Sequence, residues 1–196
     1  MSESSVAGLC IALVGLPGGG KSTVGRQLSR RLGNSFIDTD AVIEHHIGCS
    51  IRSFFEQEGE ERFRDIESTV LAELLAEHYG VVATGGGIVL RDVNRRLLRD
   101  QTVCVYLRST PEELFRRLRY DSKRPLLQVA DPLARLRELF ADRDPLYRDA
   151  AHFVIETGRP SVPTLVNMVL MQLELAGVID PQRVAPLPDA PKPTAA

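Results

Sequence analysis

The segment GLPGGGKS, residues 15–22, constrains the fold of this 196-residue chain more than any other stretch. It satisfies the pattern G-x-x-x-x-G-K-[ST], and it lies between an apolar run at residues 9–15 and a helical stripe that begins at Lys21. When a glycine-rich turn connects a buried strand to a helix, several backbone N–H groups point toward one anion. The segment therefore predicts a phosphate-binding loop at the end of a parallel strand.

The side chains of this loop suit a nucleoside triphosphate. Lys21 can reach the β- and γ-phosphates, and the Ser22 hydroxyl suits a Mg²⁺ ion. The alternative is a glycine turn that carries Lys and Ser by chance, and the flanking strand and helix argue against it. Motors, switches, transporters and kinases all use such loops, so the loop does not predict the reaction. The predicted nucleotide contacts from the loop are Gly18, Gly19, Gly20, Lys21, Ser22 and Thr23.

Short apolar runs alternate with helical segments along the rest of the chain. Strands are predicted near residues 9–15, 35–38, 80–84, 102–107 and 152–157. Alternating strands and helices predict an α/β fold with a five-stranded parallel sheet flanked by helices. One domain is predicted over residues 1–176. The Pro- and Ala-rich residues 177–196 are predicted to form a disordered tail.

Composition argues against several classes of function. With 24 basic and 26 acidic residues, the net charge of -2 provides no field that attracts DNA or an anionic membrane. Three scattered cysteines without a CxxC pair argue against a disulfide framework or a zinc site. No apolar stretch reaches the ~18 residues of a membrane span, and MSESSVAG lacks a signal-peptide pattern. We therefore expect a cytoplasmic protein without nucleic-acid or membrane partners.

Two carboxylates follow the second predicted strand, in the sequence FIDTD. Asp38 and Asp40 stand at the carboxyl end of that strand, where parallel sheets bind their ligands. In extended backbone both side chains would face the same side, and two adjacent carboxylates need partners. A Mg²⁺ ion beside Ser22 is one such partner, directly or through water, and a substrate hydroxyl is another. The alternative is that Asp40 only caps a helix that begins at Ala41.

Three other features are only weak indicators of a functional site when each is taken alone. Arg64 and Glu67 lie three residues apart on a predicted helix and can pair, as solvated salt bridges often do. The three glycines at 85–87 follow a strand and allow close approach of a ligand. A turn that requires positive φ explains one of these glycines but not three. His45 and His46 have no partner at metal-ligand spacing and are predicted to be ordinary helix residues.

Together, six segments match one family. GLPGGGKSTVGRQL, FIDTD, EGEERFRDIE, ATGGGIV, KRPLL and RDPLY occur in this order within residues 8–176, and the chain thereby resembles the shikimate kinases. The resemblance implies a three-layer P-loop kinase fold. It also implies a small helical substrate-binding region at about residues 38–67 and a mobile lid at about residues 118–130.

The resemblance implies roles for individual residues. Asp40 would hold ring hydroxyls of the acceptor and assist the attacking one, and Asp38 would lie near Mg²⁺. Arg64, oriented by Glu67, would grip the acceptor's carboxylate, because a planar guanidinium suits a planar carboxylate. The implied catalytic residues are Asp40, Lys21 and Arg124. The other implied contacts are Gly85, Gly86, Gly87 and Arg143 to the acceptor, with Gly86 the direct one, and Arg124 and Arg159 to ATP.

The implied activity is phosphorylation of the 3-hydroxyl of shikimate by ATP, in the biosynthesis of aromatic amino acids. The reaction would require one Mg²⁺ ion, and the enzyme would be a monomer. A kinase of the same fold that acts on another polyol acid, such as gluconate, is not excluded by the two arginines. A nucleotide-dependent switch is the second alternative, and it would have no use for a second glycine loop. The segment RRLRYDSKR contains one aromatic residue, which argues against a nucleic-acid interface.

Overall fold

A computed structural model describes residues 8–118 and 129–186, and these form one parallel sheet with helices on both faces. The sheet has the order β2-β3-β1-β4-β5, and all four neighbouring pairs are parallel. The strands are β1 (Cys10–Val14), β2 (Ser35–Asp38), β3 (Gly80–Ala83), β4 (Val103–Arg108) and β5 (Phe153–Glu156). The helices are α1 (Lys21–Leu32), α2 (Thr39–Ile47), α3 (Ile51–Glu77), α4 (Asp92–Gln101), α5 (Pro111–Leu118), α6 (Pro132–Ala150) and α7 (Val162–Leu175). This confirms the predicted fold class.

The central strand β1 explains why both faces of the sheet are covered. All five of its residues are buried, as expected for a continuous apolar run in a parallel sheet. Cys10, Ala12 and Val14 pack into the core layer that includes α4 and α6. Ile11 and Leu13 pack into the opposite layer with α1 and α7. Because successive side chains of a strand alternate between faces, one apolar strand supplies both layers.

The carboxyl ends of three adjacent strands carry the predicted motifs. The phosphate loop follows β1, FIDTD spans the end of β2, and the three glycines follow β3. Since β2, β3 and β1 are neighbours in the sheet, the three motifs meet at one edge. Gly59 interrupts α3 with a φ of 82°, so this long helix is kinked at that residue.

The predicted disorder of the tail is wrong for residues 177–186. Val178, Ile179 and Val184 pack against the core layer of α1 and α7, and Ile179 is buried. The backbone N–H of Ala185 donates to the carbonyl of Arg31, 2.8 Å away. The prolines suggested disorder, but these apolar contacts and the hydrogen bond from Ala185 attach the segment to the domain. Residues 187–196 lie outside the described part of the chain.

Candidate active site

The phosphate loop presents an uncapped helix end. Gly18 and Gly20 have φ angles of 81° and 88°, which only glycine adopts readily, and Gly20 is the N-cap of α1. No side chain of the described residues caps this end, and its first turn contains no acidic residue. The first amide groups of α1 therefore point into the site with the positive end of the helix dipole. A phosphate fits this position.

Lys21 is held close to the same loop. Its ammonium group donates to the carbonyls of Gly15 and Leu16 at 2.8 and 3.0 Å, and the residue is 8% exposed. A buried cation beside the glycine-rich loop strengthens the preference of the site for an anion. This arrangement agrees with the predicted contact between Lys21 and the phosphates, which remains a prediction.

Ser22 and Asp38 form the oxygen pair predicted to lie near a metal ion. The Ser22 hydroxyl donates to Asp38 Oδ2 at 2.6 Å. The other carboxylate oxygen, Asp38 Oδ1, accepts from the backbone N–H of Asp40 at 3.2 Å and caps α2. The capping role considered for Asp40 therefore belongs to Asp38, because α2 begins at Thr39 rather than Ala41.

Asp40 reaches the site from the first turn of α2. The expectation that Asp38 and Asp40 share a face of extended backbone is wrong, because the chain turns into helix between them. Both nevertheless line one cavity. Burial raises the pKa of the Asp40 carboxyl above its usual 3.8, the Asp38 carboxylate adds to this, and Lys21 opposes it. Asp40 is thus a more basic carboxylate than one in water.

Arg64 is buried on α3 between two carboxylates. Its Nη1 atom donates to Glu67 Oε2 at 2.6 Å, which confirms the predicted pairing at a spacing of three residues. Both residues are buried, so the pair is not the solvated bridge that the spacing alone suggests. Arg64 Nε and Nη2 donate to Glu60 Oε1 at 3.2 and 2.9 Å. Glu60 was not predicted, although its i,i+4 spacing from Arg64 is a recognisable signal.

The three glycines after β3 are required for space rather than for backbone conformation. Their φ angles lie outside the left-handed region. A Cβ atom added at Gly85 would lie 2.5 Å from Asp40 Oδ1, and one at Gly86 would lie 2.6 Å from the ring of Pro17. A Cβ atom at Gly87 would overlap the guanidinium of Arg64. Each glycine therefore faces a different part of the site, and a turn that needs positive φ is not the reason for any of them.

The carbonyl of Gly86 accepts two hydrogen bonds from α6. Arg143 Nη1 donates at 3.0 Å and the Tyr147 hydroxyl donates at 2.5 Å. The structure thus places Arg143 beside the glycine loop, and its predicted contact with the acceptor's carboxylate remains a prediction. Tyr147 was not predicted as a site residue, although it lies within the RDPLY segment. Only the fold shows that its hydroxyl reaches a residue 61 positions earlier in the chain.

One cavity of about 440 Å³ connects the two glycine loops. Residues of the phosphate loop line it together with Asp40 and Gly86, so the predicted donor site and the predicted acceptor site border the same cavity. Its lining residues are Pro17, Gly18, Gly20, Lys21, Ser22, Thr23, Asp38, Asp40, Thr84 and Gly86.

Gly19 and Arg159 are predicted ATP contacts that do not line this cavity. Arg159 is exposed in the turn after β5, two residues beyond Thr157, which is hydrogen-bonded to Ser109. A Cβ atom added at Gly19 would lie 3.5 Å from Ser109 Oγ, so this turn adjoins the phosphate loop. Arg124 and most of the predicted lid lie outside the described residues.

Two negative findings apply to residues 8–118 and 129–186. No helix in these ranges has the length and apolar character needed to cross a membrane. The same ranges contain no cluster of three or more His, Cys, Asp or Glu side chains suited to hold a metal ion.

Fold and site together define a P-loop kinase that acts on a small molecule. The family model described as shikimate kinase matches residues 17–174. The chain belongs to the shikimate kinase family.

Relatives and solved structures agree with this assignment. A shikimate kinase of Paracidovorax citrulli is 58% identical over 88% of this chain and 96% of its own length. One of Ralstonia nicotianae is 56% identical over 87% of this chain and 90% of its own. The structure of a shikimate kinase from Acinetobacter baumannii in complex with shikimate has a TM-score of 0.81 and 43% identity, covering 88% of this chain and 96% of that one.

Proposed function

We propose that this protein transfers the γ-phosphoryl group of ATP to the 3-hydroxyl of shikimate, giving shikimate 3-phosphate and ADP for aromatic amino acid biosynthesis. The observation that carries the proposal is the single cavity that Lys21 and Asp40 both line. Family membership supports the choice of acceptor. The monomeric state and the cytoplasmic location of the protein remain predictions.

Positioning supplies most of the catalysis in this proposal, because phosphoryl transfer has a loose transition state. The N-terminus of α1 and Lys21 bind the phosphates and neutralise charge on the transferring group. Arg64 and Arg143 orient the acceptor through its carboxylate. Asp40 accepts a hydrogen bond from the attacking hydroxyl and takes its proton. Arg124 and the lid segment would close over ATP, and Arg159 would lie near the adenine.

The residues fit one Mg²⁺ ion. The Ser22 hydroxyl and the Asp38 carboxylate are hard oxygen ligands 2.6 Å apart at the mouth of the phosphate loop. When bound, the ion would neutralise the charge of the β- and γ-phosphates. Asp38 either contacts the ion directly or binds it through water.

Exchange of Asp38 for Asn tests this metal assignment. Asn can keep the N-cap through its amide oxygen, and its amide NH₂ group can donate to the Ser22 hydroxyl in place of the hydrogen bond that Asp38 Oδ2 accepts. We therefore expect α2 to stay intact while the negative charge is lost. We expect the Mg²⁺ concentration at half-maximal rate to rise about tenfold, which corresponds to roughly 1.4 kcal/mol. Calorimetry should show weaker ATP binding with Mg²⁺ and unchanged binding without it. An unchanged Mg²⁺ requirement would remove Asp38 from the metal site.

The function itself is tested by Mg²⁺-dependent release of ADP from ATP, measured with and without shikimate. Gluconate and quinate serve as acceptor controls. We expect strong stimulation by shikimate alone. Stimulation by gluconate instead would favour the related polyol-acid kinase. ATP binding with no response to any acid would favour a nucleotide-dependent switch.

A further inference from the structure

The second glycine loop depends on hydrogen bonds for its shape. Three consecutive glycines lose more conformational freedom on ordering than other residues, and no side chain restricts them. Gly85 donates its N–H to the hydroxyl of Thr39 at 3.1 Å, and its carbonyl accepts from Ile88 at 3.2 Å. The Gly86 carbonyl is held instead by side chains of α6. Because a peptide unit is planar, a fixed Gly86 carbonyl also fixes the N–H of Gly87.

The two donors to the Gly86 carbonyl differ in whether they have a second proposed partner. Arg143 is the proposed second ligand of the acceptor's carboxylate, so its guanidinium has a competing partner during the reaction. Tyr147 is completely buried, and burial is the main reason that the pKa of its hydroxyl is raised well above the usual value of 10. Its hydroxyl therefore stays protonated and remains a donor throughout the neutral pH range.

Tyr147 also rests on a rigid support. Its ring stacks on that of Tyr106, with centroids 4.9 Å apart and an interplanar angle of 29°. The Tyr106 hydroxyl donates to Asp144 Oδ1 at 2.9 Å. Asp144 also accepts from Arg108 and Arg148, each at 2.8 Å. These contacts therefore hold the ring of Tyr147 in place without involving the glycine loop.

We propose that Tyr147 is a positioning residue that holds the Gly86 carbonyl while Arg143 binds the acceptor. With the hydroxyl present, Arg143 can turn toward a carboxylate without leaving this carbonyl unpaired. Without it, Arg143 is the remaining side-chain donor to Gly86 among the described residues. Binding of the acid would then compete with the hydrogen bond that holds the loop. This inference rests on the proposed function, since it assigns the acceptor's carboxylate to Arg143.

The test compares Tyr147→Phe with Tyr106→Phe. Both variants remove one hydroxyl from the same pair of stacked rings, but only the first hydroxyl contacts the glycine loop. We expect Tyr147→Phe to raise the KM for shikimate at least fivefold and to change the KM for ATP less than twofold. Tyr106→Phe keeps the stacked ring, and Asp144 keeps its bonds from Arg108 and Arg148, so both KM values should stay within twofold. Equal increases of the KM for shikimate in the two variants would indicate a general packing role and would overturn the proposal.

Hydrogen exchange in the absence of substrates provides a second readout. The amides of residues 84–90 should exchange faster in Tyr147→Phe than in the unmodified protein, and those of Tyr106→Phe should not. Unchanged exchange, or faster exchange with an unchanged KM for shikimate, would overturn the positioning role. Lack of shikimate-dependent turnover in the unmodified protein would instead overturn the proposed function, and the exchange data would still report whether the hydroxyl holds the loop.

Discussion

Exchange of Asp40 for Asn is expected to lower kcat about 100-fold, the lower end of the range for a general base. Asn keeps the size of the side chain and removes its capacity to accept a proton. Binding of ATP should persist, because the proposed phosphate ligands, Lys21 and the N-terminus of α1, remain unchanged in this variant. Single-turnover measurement of ADP formation, together with calorimetric titration of ATP, would separate these two effects.

The same exchange should not destabilise the fold. The folded-state pKa of Asp40 is raised, so the stability that its protonated form contributes is lost as the pH rises through that pKa. At neutral pH the buried carboxylate is therefore unfavourable, and a neutral Asn should leave the free energy of unfolding equal or higher. Lost activity in an equally stable variant would locate the effect in the reaction.

Glu44→Gln is the matched control for Asp40→Asn. Glu44 lies one turn later on α2, is exposed, and also raises the pKa of Asp40. Its carboxylate accepts from the N–H of Ile51 at 3.0 Å, and the Gln amide oxygen can do the same. We expect kcat within twofold of the unmodified protein. Comparable losses in both variants would mean that overall charge, rather than the position of Asp40, controls the rate.

The sequence predicts those parts of the site that depend on local spacing. Lys21 and Ser22 follow from the loop motif together with the strand and helix around it, and the structure places both in the cavity. The pairing of Arg64 with Glu67 follows from their spacing on one helix. Asp38 and Asp40 reach the same cavity as predicted, but the local geometry differs because α2 begins immediately after β2.

Features that depend on long-range packing could not be predicted from spacing. Tyr147 reaches Gly86 only because α6 packs beside the loop that follows β3. The tail at residues 177–186 is held by apolar contacts with α1 and α7, which its proline content obscured. The strand order, which makes β1, β2 and β3 neighbours at the site, likewise depends on the whole sheet. Sequence periodicity identifies strands and helices, but it does not determine which strands lie next to one another in the sheet.

The reason for three glycines at residues 85–87 also emerges from packing. The sequence indicated close approach of a ligand, which remains a prediction. The structure adds that the chain's own site residues already occupy the space where the side chains would be. Gly85 borders Asp40, Gly86 borders Pro17 of the phosphate loop, and Gly87 borders Arg64. One loop thereby contacts the proposed base, the donor site and the acceptor site.

Exchange of Gly87 for Ala should selectively impair binding of the acceptor. The added methyl group would overlap the guanidinium of Arg64, which is the flexible end of its side chain and can move. The fold should therefore survive while the guanidinium shifts from its bond to Glu67 Oε2. Overpacking of this kind costs about 1–3 kcal/mol. We expect kcat/KM for shikimate to fall about 10- to 100-fold, with ATP binding unchanged by calorimetry.

Two other glycine variants determine whether this effect belongs to Arg64. Gly48 is the C-cap of α2, and an added Cβ atom there would meet no neighbouring atom. Because its φ is 72°, Gly48→Ala should lower the free energy of unfolding by about 1 kcal/mol. The KM values for both substrates should stay unchanged. Gly86→Ala presses on Pro17 instead, and it should raise the KM for ATP as well as that for shikimate. Because Gly86 and Gly87 are adjacent, general disturbance of the loop would affect both substrates in both variants. Impaired shikimate binding with normal ATP binding in Gly87→Ala alone therefore requires a local cause, and Arg64 is the group that the added methyl meets.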